Sequence, residues 1–111
     1  MNEERPLVRS VLPSLADRME TALRAQGEER VADQVSELRI TAVCPCDQEF
    51  CGSFHTAKRP MKRWMLRGRQ IMLADDGPGE VAIDVVRNEI AYVEVLFVDG
   101  VRERLAGLRD E

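Results

Sequence analysis

Residues 44–55, Cys44-Pro45-Cys46-Asp47-Gln48-Glu49-Phe50-Cys51-Gly52-Ser53-Phe54-His55, hold all three cysteines and the only histidine of the chain. Thiolate sulfur and imidazole nitrogen are the donors zinc takes in a closed tetrahedron, so Cys44, Cys46, Cys51 and His55 form a candidate Cys3His metal site. The spacing C-x-C-x4-C-x3-H departs from the paired C-x2-C knuckles of the standard zinc fingers. Along an extended strand, at about 3.3 Å per residue, Cys51 and His55 stand roughly 13 Å apart, too far to share one ion. The histidine therefore joins the sulfurs only if residues 51–55 turn.

Read as a β-hairpin with the loop Asp47-Gln48-Glu49-Phe50, the same stretch sets Cys46 opposite Cys51, Cys44 opposite Ser53 and Ala42 opposite His55. Directly opposed residues in a non-hydrogen-bonded pair lie about 4.5 Å apart at Cα, at the lower edge of what a disulfide accepts. The three thiols then share one face. Phe50 and Phe54 point to the other, which requires either that both faces are covered or that a bulge near Pro45 changes the phase. Three chemistries fit this arrangement. The thiols hold a metal; or Cys46 and Cys51 cycle between dithiol and disulfide with Cys44 as resolving thiol; or all three stay reduced and pack as small hydrophobes in a sheet.

Catalysis has few resources in this chain. A single histidine permits a single thiol–imidazole pair, Cys51 or Cys44 beside His55, and only Asp47 and Glu49 lie near enough in sequence to orient it. There is no phosphate loop, no G-x-G-x-x-G and no H-E-x-x-H. Asp75-Asp76 and Asp84 offer oxygen ligands to a hard cation, but Asp75-Asp76 before Gly77 is first of all a turn signal. A binding or interaction module is the expectation, rather than an enzyme.

The other conspicuous stretch is 58–69, where Lys58, Arg59, Lys62, Arg63, Arg67 and Arg69 fall within a span that has no acid between Glu49 and Asp75. The chain carries 16 basic and 20 acidic residues, so without these six cations 10 basic residues face 20 acidic ones. Met61, Trp64, Met65 and Leu66 are interleaved with the charges. Such a segment suits a protein or another anionic partner. Single-stranded nucleic acid is a less favoured partner, because the acidic remainder repels phosphate within a Debye length. Alternatively, Trp64 and the methionines pack on the sheet while the cations snorkel outward.

The elements that must position these residues follow from periodicity. With 111 residues, 44% hydrophobic and 32% charged, the chain reads as one domain, 1–111, loosely held over residues 1–9. No apolar run is long enough to span a membrane and no signal-type segment opens the sequence, so the default location is the reducing cytoplasm, where an odd cysteine count argues against a disulfide framework. Val11, Leu15, Met19, Ala22 and Leu23 predict a helix to about Gln26, capped by Ser10 or Ser14 with Pro13 in its first turn. Gly27 ends it, and a second helix follows with Val31, Ala32, Val35 and Leu38 on one face. Strands are predicted over 38–42, 50–57, 69–74, 81–85 and 90–98, the last apolar on both sides apart from Glu94 and so placed centrally. Asp99 is set to cap a closing helix with Val101, Leu105 and Leu108. The resulting fold class is α+β: an N-terminal helical hairpin, a mainly antiparallel meander of about five strands, and a C-terminal helix.

Over 38–54, with Cys44, Cys46, Cys51 and Phe54, and again over 79–105, the chain resembles a group of small uncharacterised bacterial proteins. These combine a helical amino-terminal part, a Cys-x-Cys…Cys-x-x-Phe segment and a late strand pair ending in a short helix. The resemblance implies a self-contained domain and brings no catalytic residue; His55 is its least secure position.

Overall fold

The computed structural model describes residues 5–57 and 68–108. Three helices open the chain, α1 (Val8–Val11), α2 (Pro13–Ala25) and α3 (Glu29–Gln34), the last continuing into a 3-10 turn over Val35–Glu37. Proline begins α2 because the first turn needs neither its missing N–H nor a φ other than the one its ring fixes. Leu15, Ala16, Met19, Ala22 and Leu23 form its buried stripe. The end of α2 is a Schellman closure. Gly27, at φ 83°, takes the left-handed conformation, its N–H bonds to Arg24 O at 3.1 Å, and Glu28 N–H reaches Leu23 O at 2.8 Å. Neither expected serine cap is used, since Ser10 lies inside α1 and the N-cap of α2 is Leu12 without a side-chain bond.

The start of the described chain is tied down through backbone bonds. Val8 N–H donates to Leu38 O and Ile40 N–H to Pro6 O, both at 2.8 Å, with Leu7 bridged to Arg39. Residues 38–40 are thus occupied by the N-terminal segment, their inward Leu38 and Ile40 are buried, and the strand proper begins only at Ala42.

Five strands, β1 (Ala42–Val43), β2 (Phe54–His55), β3 (Arg69–Met72), β4 (Glu80–Val86) and β5 (Glu89–Leu96), form one antiparallel sheet in the order β1-β2-β5-β4-β3. The expected meander is present in two pieces, a β1–β2 hairpin and a β3–β4–β5 run, joined by the pairing of β2 with β5. This makes β5 the central strand, as its two-sided apolar pattern requires. Arg87 and Asn88, at φ 53° and 68°, make the two-residue turn between β4 and β5, the pair of positive φ values that matches strand twist in tight hairpins. Gly79, at φ 67°, is obligatory where the preceding turn meets β5: a Cβ there would lie 2.2 Å from Leu96 O. Arg18 locks that turn to α2, giving its Nε to Asp75 at 2.8 Å and its Nη1 to Pro78 O at 2.7 Å.

Phe54, Ile71, Val81, Ile83, Val85, Val93 and Val95 share one core with the inner stripes of the helices. The closing helix α4 (Val101–Leu105) adds Val101 and Leu105 to it and runs into a 3-10 turn over Ala106–Leu108. Its N-cap is Gly100 at φ 86°, not Asp99. No helix among the described residues is long and apolar enough to cross a membrane.

Phe54 is fully buried and belongs to the strand that joins the two halves of the sheet. Phe54→Ala is expected to destabilise the fold by about 3–5 kcal/mol. Denaturant unfolding would measure it, and a loss below about 1 kcal/mol would contradict this placement.

Candidate metal centre

The hairpin register expected from sequence is the observed one. Ala42 faces His55 and Val43 faces Phe54, and Cys44 N–H continues the ladder to Ser53 O at 3.0 Å. The chain turns back where Cys51 N–H bonds to Gln48 O at 3.1 Å. The returning arm lies along β5: Phe97 N–H donates to Phe50 O and Gly52 N–H to Val95 O, each at 2.8 Å, with Cys51 bridged to Leu96. The two phenylalanines part company here. Phe54 enters the core, while Phe50 stays at the surface and stacks on Phe97 with ring centroids 4.8 Å apart.

With the loop closed in this way, the sulfurs of Cys44, Cys46 and Cys51 all lie within 4.8 Å of one another. Cys51 is buried and the other two are half-buried. Cys51 S–H donates to Ser53 Oγ at 3.5 Å, and Ser53 in turn receives the Val95 N–H at 2.9 Å. The serine is itself buried, so its hydroxyl ties the thiol loop to the central strand from inside. From the opposite side comes α4. Arg102 Nη1 donates to Cys51 O at 3.0 Å and Nη2 to Cys46 O at 3.2 Å, so one guanidinium holds the carbonyls of two of the three cysteine residues. Gly52 makes that approach possible, since a Cβ at this position would stand 2.6 Å from Val101 Cγ1.

The thiols differ electrostatically. Hydrogen bonding from the Cys51 thiol and from the Gln48 amide, with smaller help from Cys44 and from the Arg102 guanidinium, brings Cys46 down to about 7. Burial pushes Cys44 the other way, above the ordinary thiol range. Tyr92, whose hydroxyl interacts with Ser53 and Cys44, is held above the usual phenol value, chiefly by burial.

His55 is not in the sulfur group. Residues 51–55 keep one extended register along β5, with His55 opposite Tyr92, which is the geometry that carries the imidazole away from Cys51. Its ring instead packs edge-on against Tyr92 at 4.6 Å, and burial lowers its basicity. Among the described residues, the three cysteines are the one group of three or more potential metal ligands. Asp75 and Asp84 are engaged elsewhere, by Arg18 and by the Gln70 amide. Of the basic segment, Lys58, Arg59, Lys62, Arg63, Trp64 and Arg67 lie outside the described residues. Arg69 is on β3 and makes a two-pronged ion pair with Glu28 at 2.7 and 2.8 Å.

Arg102, Ser53 and Tyr92 are the site residues that sequence reading passes over. Ser53 stands inside the motif, but Arg102 is 51 positions from the carbonyl it binds on Cys51, and no local pattern marks such a partner. No family model matches the chain, and no curated protein or solved structure is significantly similar to it. The chemistry of the site is therefore that of its own residues.

Alkylation of Cys46 is expected to rise with pH about a midpoint near 7, because the thiolate is the reacting form, and to precede that of Cys44. Arg102→Ala removes a partner of that thiolate and should move the midpoint upward. Residue-resolved mass spectrometry of timed iodoacetamide labelling reads both effects, and equal rates at Cys44 and Cys46 across neutral pH would contradict them.

Proposed function

We propose that this chain is a binding module whose ligand is a thiophilic metal ion held by Cys44, Cys46 and Cys51. The convergence of three sulfurs within 4.8 Å carries this reading. A tetrahedral ion with metal–sulfur bonds of about 2.3 Å needs sulfurs about 3.8 Å apart, so the loop has to contract by no more than about 1 Å to close on one. Thiolate sets select zinc, cuprous copper and other soft ions over magnesium or calcium. Binding requires deprotonated sulfur, and Cys46, brought down to about 7, supplies part of it at neutral pH. Ser53, Arg102 and Tyr92 are the surrounding groups that orient and tune the sulfurs.

A second reading, reversible oxidation of Cys46 and Cys51 to a disulfide with release of two electrons and two protons, is favoured by the lowered Cys46 thiol beside Cys51. The two readings separate cleanly. Protein purified without chelator should carry about one equivalent of zinc or take up cadmium with a sulfur-to-metal charge-transfer band. Cys51→Ser should weaken that affinity by more than the 10–100-fold typical of losing an outer-shell partner. Sub-stoichiometric metal, no charge-transfer band and a mass loss of two hydrogens on mild oxidation would replace the metal reading with the redox one.

A further inference from the structure

We infer that the three-sulfur site is built for a trivalent, three-coordinate thiophile of the arsenite class in preference to zinc. This rests on the reading of Cys44, Cys46 and Cys51 as a metal site and concerns which ion completes it.

The donor set comes first. Three sulfurs converge and no histidine or carboxylate joins them among the described residues; His55 is aligned on Tyr92, and Asp47 and Glu49 are exposed without entering the group. Structural zinc closes with four protein ligands, and zinc with three leaves a position for water or substrate. A substrate at that open position needs a cleft beside the sulfurs. The principal cavities lie elsewhere. One of about 590 Å³ runs past Asp33, Gln34 and Glu89, one of about 320 Å³ past Leu12, Arg18 and Arg104, and one of about 280 Å³ past Phe50, Phe97 and Arg102, and no cysteine lines any of them. Trivalent arsenic has no such requirement. Its lone pair takes the fourth vertex of the tetrahedron, and three sulfurs complete it.

Charge points the same way. Three thiolates around zinc retain one net negative charge, and around cuprous copper two, in a site where Cys51 is buried and the chain as a whole stands at −4. Around trivalent arsenic the sum is zero, which removes the cost of burying an anion. The guanidinium of Arg102 donates to two backbone carbonyls at 3.0 and 3.2 Å, an arrangement that fixes the loop around a neutral core. The exchange balances without oxidant or reductant. Arsenous acid meets three thiols, three arsenic–oxygen bonds break, three arsenic–sulfur bonds form, and each thiol proton leaves with a hydroxide as water.

The test uses the full reduced chain and arsenite as the probe. Native mass spectrometry should show one arsenic gained with three hydrogens lost, and X-ray absorption should show three sulfurs and no oxygen around arsenic. In competition, equimolar arsenite should displace zinc, and zinc should not displace arsenite. Replacing any one cysteine, as in Cys44→Ser, should leave an arsenic–oxygen bond in the spectrum. An arsenic–oxygen bond in the unaltered protein, or zinc held through a fourth protein donor and resistant to arsenite, would overturn the inference while leaving the metal site standing. Failure of arsenite, zinc and cadmium alike to bind would remove both.

Discussion

The pairing of the 51–55 arm with β5 is the contact on which the rest of the molecule depends. It joins the β1–β2 hairpin to the β3–β4–β5 run, and without it the hairpin would be a two-stranded ribbon, which is marginal in water on its own. The join is made in two ways at once. Phe54 buries a whole aromatic ring opposite Val93, and the Ser53 hydroxyl receives the Val95 amide, so apolar burial and hydrogen bonding hold the same few residues. Cys51 inherits its position from this arm. Its sulfur meets those of Cys44 and Cys46 because the backbone beneath it is pinned to the middle of the sheet.

A second constraint comes from the end of the described chain. Helix α4 is short, and its hold on the fold is Val101 and Leu105 in the core. From that footing Arg102 reaches back to the cysteine loop, and Gly52 lets the helix sit close enough for it to do so. The bonds lie partly out of water and one partner is charged, which places them among the stronger hydrogen bonds of the molecule. The ion pairs that Arg24 makes with Glu20, Glu29 and Asp33 on the helical surface are exposed and screened, and they contribute correspondingly little to the fold.

Much of this was legible in the written order of residues, for identifiable reasons. The stripe Leu15, Met19, Ala22, Leu23 and the glycine after it specify α2 and its end, because helix periodicity and positive φ are local properties. The Ala42–His55 register follows from loop length and alternation, and it places three thiols on one face of the hairpin. The strand order was less legible: adjacency of β2 to β5 is a long-range choice, made by the two-sided apolar character of β5 and the volume of Phe54. The segment 38–40 looked like strand and is extended, but its partner is Pro6 and Leu7, which no alternation pattern could nominate. The helix caps expected from Ser10, Ser14 and Asp99 went unused because tertiary burial, with a left-handed glycine at α4, fixed those ends instead. His55 shows the limit most directly. Four residues of extended chain set its distance from Cys51, and only pairing to β5 decides that the chain is extended there.

The thiol loop and its support are far apart along the polypeptide. Ser53 and Val95 are separated by 42 positions, so a ribosome adding about 5–20 residues per second finishes the hairpin roughly two to eight seconds before the strand that covers it. During that interval the nascent chain carries three uncovered sulfurs, open to whatever thiol-reactive species surround it. The first chemistry they meet is thus encountered before folding rather than after it.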